Sequence, residues 1–467
     1  MSEDLALWSA TALVDAFRRK TVSPVEATQA GLARIERLDG QLNAFILVDR
    51  DGALAAARAS EARWHAGAPL GPVDGVPTSI KDIVLTKGWP TLRGSKTVDP
   101  GQPWSEDAPS VARLRDSGAV FLGKTTTPEF GWKAIGDSPL TGITRNPWNL
   151  GHTPGGSSAG AASATAVGMG ALAIGTDGAG SIRIPSSFTG LFGIKPTFGR
   201  VPAYPPSAFG LVSHVGPMTR TVEDGALMLS VLAGADWRDS YALPADGRDY
   251  RQGIDGGVKD LTIGFSPDLG YAKVDPEVAR AVAAAVQVFA ELGATVETIA
   301  PPFAEPIAAE LVLWSAPTTK LLSEMTEAQR ALLDPGLRRM ADVGRRYSAI
   351  DYVAADQART ALGQTMAAFH QRYHLLVTPT VAVPALPVGR DTLSDAADAL
   401  WIEWAPFTYP FNLTRQPAAS VPCGITRNGL PIGLQLVGAL YDEPTVLRAA
   451  RAFERARPFP ICPMARA

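Results

Sequence analysis

Short apolar runs and longer stretches of helical period alternate along the chain. Residues 23–37, SPVEATQAGLARIER, predict a helix: Ser23 caps it, Pro24 takes its first position, and Glu26 lies three residues after the cap. Residues 52–66 predict a second, alanine-rich helix. The alternating run Val76–Lys81 leaves a Gly/Pro turn and predicts a strand. Helix 109–117 and strand 119–125 follow in the rhythm of a mixed α/β sheet. Residues 158–169, SAGAASATAVGM, predict a helix of small residues able to approach neighbouring backbone closely. Residues 171–177 predict a buried strand that runs into the loop GAGS. Further on come strand 261–269, helix 275–293 and strand 294–299, and then strands within 374–385, 417–424 and 430–438. The pattern predicts an α/β protein with one large mixed, twisted sheet covered by helices on both faces. We read residues 1–467 as a single domain, with motifs concentrated at about 71–230 and a variable helical region at about 300–370. The polar stretch 245–260 is the best candidate for an internal boundary.

A composition of 46% hydrophobic and 19% charged residues is that of a globular chain. The net charge of -3, with no Lys/Arg cluster, argues against nucleic acid or an anionic membrane as partner. The start MSEDLALWSA is acidic and lacks the basic region of a secretory signal. The longest apolar run, around Val167–Gly175, falls far short of the ~20 residues that span a bilayer. Cys423 and Cys462 are expected as a buried and a C-terminal free thiol, with a single disulfide as the alternative. No HExxH, CxxC or HxH spacing points to a metal. A cytoplasmic enzyme is the expectation.

Two glycine-serine segments stand out: TPGGSSAG (153–160) and GTDGAGS (175–181). Converging backbone N–H groups in such loops suit a phosphate or an oxyanion. The phosphate reading weakens because no GxxxxGK[ST] occurs and Arg183 stands where GxGxxG needs its third glycine. Gly156–Gly160 matches GxSxG, yet the proline-broken stretch 145–154 is no strand to carry a nucleophile elbow. His214, His370 and His374 are available partners for a serine, but none sits in a catalytic setting, and His374 reads as a structural residue opening a strand. A lysine is the remaining base. Lys96 and Lys124 read as solvated surface charges, whereas Lys81 closes an apparently buried strand. Desolvation there would leave a neutral amine able to accept a proton.

The runs GPVDGVPTSIKD (71–82), GITRNPWN (142–149), TPGGSSAG, GTDGAGSIRIPSSFTGLFGIKPT (175–197) and SHVGPMTRTVEDGALML (213–229) resemble the amidase signature family. The similarity continues to QPAASVPCG and LPIGLQLVG near the C-terminus. The resemblance implies the amidase-signature fold and amide hydrolysis by a Ser-cisSer-Lys triad. Ser181 would be the nucleophile, Ser157 the bridging serine on a cis bond after Gly156, and Lys81 the base. The serine separation, 181 minus 157 or 24, agrees with the family pattern. It also implies an oxyanion hole from the N–H groups of Gly178, Ala179, Gly180 and Ser181, a hydrogen bond from Ser158 to Lys81, and an Asp177–Arg183 ion pair. No cofactor or metal is implied, and a homodimer is compatible. Ala179 and Ala159 depart from the glycines usual in the family, and the Ala179 methyl would be unfavourable at positive φ.

Trp314, Trp401, Trp404, Phe407 and Tyr409 are the candidate substrate wall, which favours amides bearing a hydrophobic or aryl group; SPLTGITR (138–145) and YPPSAFG (204–210) are candidates for the entrance. Aryl carbamates would suit the same wall. The glutamine-hydrolysing component of the family's tRNA-dependent amidotransferases is another reading, against which Ala405 stands where that component carries an acidic residue. A non-catalytic binding or scaffold protein is the reading from a different class. A fold alone needs none of Lys81, Ser157 and Ser181.

Overall fold

Ser23 closes a capping box: its Oγ accepts from the Glu26 N–H (3.1 Å), and the Glu26 carboxylate accepts from the Ser23 N–H (2.8 Å). That start fixes the helix Pro24–Leu42, which runs five residues beyond the predicted end. The computed structural model describes residues 4–396 and 399–466, so the first three residues of the acidic N-terminal segment lie outside it.

An eleven-stranded sheet forms the centre. From one edge its strands are Phe45–Val48, Val120–Thr125, Pro77–Lys81, Leu172–Asp177 and His214–Thr219. It continues through Phe192–Lys195, Ala418–Ile425, Pro431–Gly438, Leu375–Pro379, Thr262–Phe265 and Thr295–Thr298. Parallel and antiparallel pairs are mixed. Strands from both sides of the stretch 245–260 share this one sheet.

Strand alternation sends side chains to two covered faces. Leu172 and Ile174 join a core that includes Val222, Ala226 and Leu229 of the helix Val222–Leu232. Ala173, between them, packs with Ala161, Ala162 and Ala166 of the helix Ala159–Ala166. The small residues of that helix allow the expected close approach: a Cβ at Gly160 would come within 2.2 Å of the Ala44 carbonyl oxygen. The helix ends at Ala166, three residues short of the prediction.

Cys423 and Cys462 are both free thiols; Cys462 is buried, and Cys423 is half-buried inside the strand Ala418–Ile425. Lys124 corrects an expectation, because it is fully buried rather than a surface charge. It lies on Val120–Thr125, a strand buried along its whole length. Its ammonium donates to the Val84 carbonyl and to Thr91 Oγ1, both at 2.8 Å, and lies 3.6 Å from Asp82. Burial lowers its pKa to about 8 and raises that of Asp82 to about 6. Among the described residues, no helix is long and apolar enough to cross a membrane.

Candidate active site

Pro77–Lys81 and Leu172–Asp177 are parallel neighbours, with Thr78 opposite Leu172 and Ile80 opposite Ile174. Their C-terminal ends therefore emerge at one sheet edge, the usual place for a ligand site in open α/β sheets. Ser79 is level with Ala173, so Lys81, two residues on, projects to the face covered by the small-residue helix. The residues entering that helix are Ser157 and Ser158. The topology thus carries a lysine and two serines to one point.

Lys81 is fully buried, and its Nζ lies 2.7 Å from Ser157 Oγ, 3.1 Å from Ser158 Oγ and 2.7 Å from Thr176 Oγ1. Burial pushes its pKa well below the ordinary lysine value, against the opposing charge of Asp177. A neutral amine has two N–H groups and one lone pair. Ser158 O–H donates to the Thr176 carbonyl (3.2 Å), so Ser158 Oγ can only accept from Lys81. With Thr176 Oγ1 as the second acceptor, the lone pair is left for the Ser157 O–H. Such an arrangement allows a proton to pass from Ser157 to Lys81. The Gly156–Ser157 bond is cis.

Thr176 carries no signal in the sequence that marks it as a partner of Lys81. Replacing it with valine deprives one Lys81 N–H of its acceptor in a buried setting. Thr176→Val is expected to lower kcat about tenfold with KM nearly unchanged. Steady-state kinetics would check this, and an equal rate would mean that Lys81 does not need the Thr176 hydroxyl.

Ser181 opens into a cavity of about 110 Å³ that Ser157, Thr176 and Gly178 also line. The loop before it is held by a fully buried ion pair in which Arg183 Nε and Nη2 donate to the two Asp177 oxygens, each at 2.9 Å. Burial alone would raise the Asp177 pKa. The charge and hydrogen bonds of Arg183, with Lys195 and Asn412, outweigh it and hold the carboxyl below the usual range. Asp177 also accepts from the Gly180 N–H at 2.7 Å.

That contact bears on the expected oxyanion set. The Gly180 N–H is committed to Asp177, whereas those of Gly178, Ala179 and Ser181 carry no hydrogen bond among the described residues. Gly180 takes the left-handed conformation (φ 124°), and a Cβ there would lie 2.5 Å from Thr408 Oγ1. Ala179 does not adopt positive φ, and its carbonyl accepts from Thr408 Oγ1 at 2.7 Å, so its methyl meets no backbone objection. Ala159 likewise fits, as the first residue of the helix Ala159–Ala166.

The aromatic wall is only partly where the sequence places it. Trp314 lines the cavity, stacks on Phe209 at 3.9 Å between ring centres, and leaves no room for a side chain at Gly178. Trp401, Trp404, Phe407 and Tyr409 are instead buried one layer behind and do not line it. Trp401 packs edge-on against Trp314, and Trp404 stacks on Phe188. Phe407 belongs to a separate cluster with Phe411 and Val437, and Tyr409 points to Glu305. Of the entrance candidates, the Tyr204–Phe209 segment lines the cavity and 138–145 does not.

The histidines stay outside this geometry. His214 is buried, and its Nδ1–H donates to the Val212 carbonyl at 2.9 Å. His374 Nδ1 accepts from the Thr262 N–H at the start of a strand pair. His370 Nδ1 lies 2.9 Å from the Tyr373 carbonyl.

A strand-borne buried lysine beneath two serines, facing a loop of free N–H groups, is an arrangement suited to hydrolysing amides. Residues 26–447 match the family model Amidase. An acylamidase of Rhodococcus erythropolis is 37% identical, with 98% of each chain covered. The A component of the glutamyl-tRNA(Gln) amidotransferase of Geobacter metallireducens is 38% identical, covering 95% of this chain and 96% of its own. The crystal structure of a bacterial aryl acylamidase superposes with a TM-score of 0.89 at 32% identity, covering 97% and 96% of the two chains. The chain belongs to the amidase signature family and is an enzyme that hydrolyses amides.

Proposed function

We propose that this enzyme cleaves carboxylic amides with a hydrophobic or aryl substituent to acid plus ammonia or amine, through an acyl-enzyme on Ser181. Ser157 passes the Ser181 proton to neutral Lys81, and the same relay returns it to the leaving nitrogen before water releases the acid. Gly178, Ala179 and Ser181 donate to the oxyanion, where loss of one donor typically costs on the order of 10²–10³ in rate. The observation that carries this reading is the buried lysine held 2.7 Å from Ser157 at the edge of the cavity that Ser181 enters. Apolar walls from Trp314, Phe209 and Phe130 support the substrate class.

Aryl carbamates fit the same walls and are the second substrate class. Components of glutamyl-tRNA(Gln) amidotransferases are among the relatives, but Ala405 is buried and offers no charge to an amino-acid substrate. The reading places the enzyme in the cytoplasm, acting on a small molecule without cofactor, nucleic acid or membrane, and is compatible with a homodimer.

Intact-mass measurement after exposure to a fluorophosphonate tests it, alongside turnover of acyl anilides, aryl carbamates and glutamine. One adduct on the wild type, none on Ser181→Ala, and amine release from the anilides are expected. An adduct that persists in Ser181→Ala would mean that a different residue is the nucleophile. Turnover confined to glutamine would favour the amidotransferase reading.

A further inference from the structure

The cavity wall carries one charged side chain among the described residues, Arg93. It lies between the strand Pro77–Lys81 and the helix Pro109–Asp116, in a loop clamped against the active site. Its N–H donates to the carbonyl of Asp82, the residue after Lys81, at 2.9 Å. Its own carbonyl accepts from the Phe130 N–H at 2.7 Å, and Phe130 lines the same cavity.

The backbone at this point is unfavourable for an arginine. Arg93 has φ 57° and Gly94 has φ 65°, two consecutive left-handed residues. Non-glycine residues are uncommon there, and Asn, Asp and His are the ones enriched. A Cβ at Gly94 would approach the Thr127 carbonyl oxygen to 2.4 Å, so the turn is pressed against the chain beneath it. Held strain of this kind clusters at functional sites. Backbone preference does not account for an arginine here.

The guanidinium is half-buried, and its surroundings supply no bonded counter-charge. The nearest acid, Asp82, already faces the Lys124 ammonium at 3.6 Å, and its Oδ1 accepts from the Leu92 N–H at 3.2 Å. Two cations therefore share one carboxylate, which leaves one net positive charge beside an otherwise neutral cavity. A planar fork of donors in a largely apolar, partly desolvated space is matched by a carboxylate, which accepts two parallel N–H bonds. The other lining groups, such as Phe130, Phe209 and Trp314, suit an apolar body.

We propose that Arg93 is a specificity-determining residue that selects amides carrying a carboxylate, so that the substrate is an apolar molecule with one anionic end. This rests on the amide-hydrolase reading of the same cavity. The carboxylate can belong to the acyl half or to the amine half, and the test separates the two.

Two matched substrate pairs are used. Glutaric acid monoanilide and its isopropyl isostere vary charge on the acyl side. Butyrylaminobenzoate and its isopropyl isostere vary it on the amine side. In the wild type, one pair is expected to show kcat/KM for the anion roughly tenfold to hundredfold above its neutral partner, the worth of a charge-assisted hydrogen bond. The charged pair responsible identifies the half of the substrate that Arg93 meets. Arg93→Met should bring that ratio to about one, and Arg93→Lys should keep part of it, because a point charge replaces the fork. A wild-type ratio near one in both pairs, or a ratio that survives in Arg93→Met, overturns the proposal while amide hydrolysis stands.

Calorimetric titration of Ser181→Ala protein with the same four compounds reads recognition apart from chemistry. Preferential binding of an anion, lost when Arg93→Met is added, supports the proposal even if none of the four is turned over; in that case the hydrolysis reading fails alone. Equal binding of anion and isostere overturns it. If Arg93→Met does not fold, inhibition of the wild type by glutarate against a neutral diamide of like length decides, with equal inhibition counting against Arg93.

Discussion

Lys81→Met is expected to lower kcat/KM for an acyl anilide by on the order of 10⁴-fold, close to the loss in Ser181→Ala, with the double variant little worse than either single change. Groups that form one relay fail together, because removing the base strands the nucleophile's proton as surely as removing the nucleophile. The fully buried site would accept the methionine, which has nearly the length of the lysine and no charge to solvate. The pH profile makes the assignment specific. Burial favours the neutral amine, so wild-type kcat/KM should rise with pH and level off well below the range in which a free lysine titrates, about 10.4. Lys81→Met should lose that rising limb from its residual rate. The same shift acts on stability: at intermediate pH the unfolded chain binds a proton at Lys81 that the folded chain does not, so stability contributed through this group rises with pH. A limb that persists in Lys81→Met would assign it to another group.

Much of this arrangement is legible because it is local in sequence. The strand ending at Lys81 announces itself by alternation after a Gly/Pro turn, and the helix Ala159–Ala166 by its run of small residues. Three strands of the sheet are not legible, the four-residue edge strand Phe45–Val48 among them. His214–Thr219 contains Gly216 and Pro217 yet pairs on both sides within the sheet, and Phe192–Lys195 is only four residues long. Proline ordinarily demotes a run to edge or loop, and a central sheet position overrides that preference.

Side-chain roles fail where they depend on partners far along the chain. Lys124 reads as a surface lysine until Asp82, Val84 and Thr91 are seen around it. Trp401 and Trp404 have the composition of a pocket wall, and nothing local distinguishes the residue at the cavity from the one packed behind it. The Gly180 donor is lost to Asp177, three residues away, because a loop's hydrogen bonds follow from its φ/ψ values rather than from its letters. Arg93 gives one faint signal, a large charged residue beside a glycine in a turn.

The second large effect concerns stability. Arg183→Met should cost about 3–5 kcal/mol, the usual consequence of leaving a buried charge without its partner. All five guanidinium donors of Arg183 are in use: two on Asp177, and the others on the Thr408 carbonyl, Gln435 Oε1 and Asn412 Oδ1. Lysine has three donors and no planar fork, so Arg183→Lys should recover little. Adding Asp177→Asn to Arg183→Met should recover part of the loss, because it removes the stranded carboxylate. Midpoints of urea unfolding would show the ordering. The pH dependence follows from the sign of the Asp177 shift. A carboxyl whose folded pKa is depressed contributes fully above its unfolded value and loses that contribution only as pH falls through the folded value. The gap between wild type and Arg183→Met should therefore be full only above the folded pKa of Asp177 in the variant, which loss of Arg183 raises, and should narrow as pH falls below it. A gap under about 1 kcal/mol at neutral pH would mean the pair is dispensable. The consequence reaches the chemistry as well. The Asp177 carboxylate that Arg183 holds is the group that fixes the Gly180 N–H, and with it the turn that leaves Gly178, Ala179 and Ser181 free to donate. Arg183→Met should thus lose activity at temperatures where it is still folded, because the loop loses its anchor before the sheet loses its core.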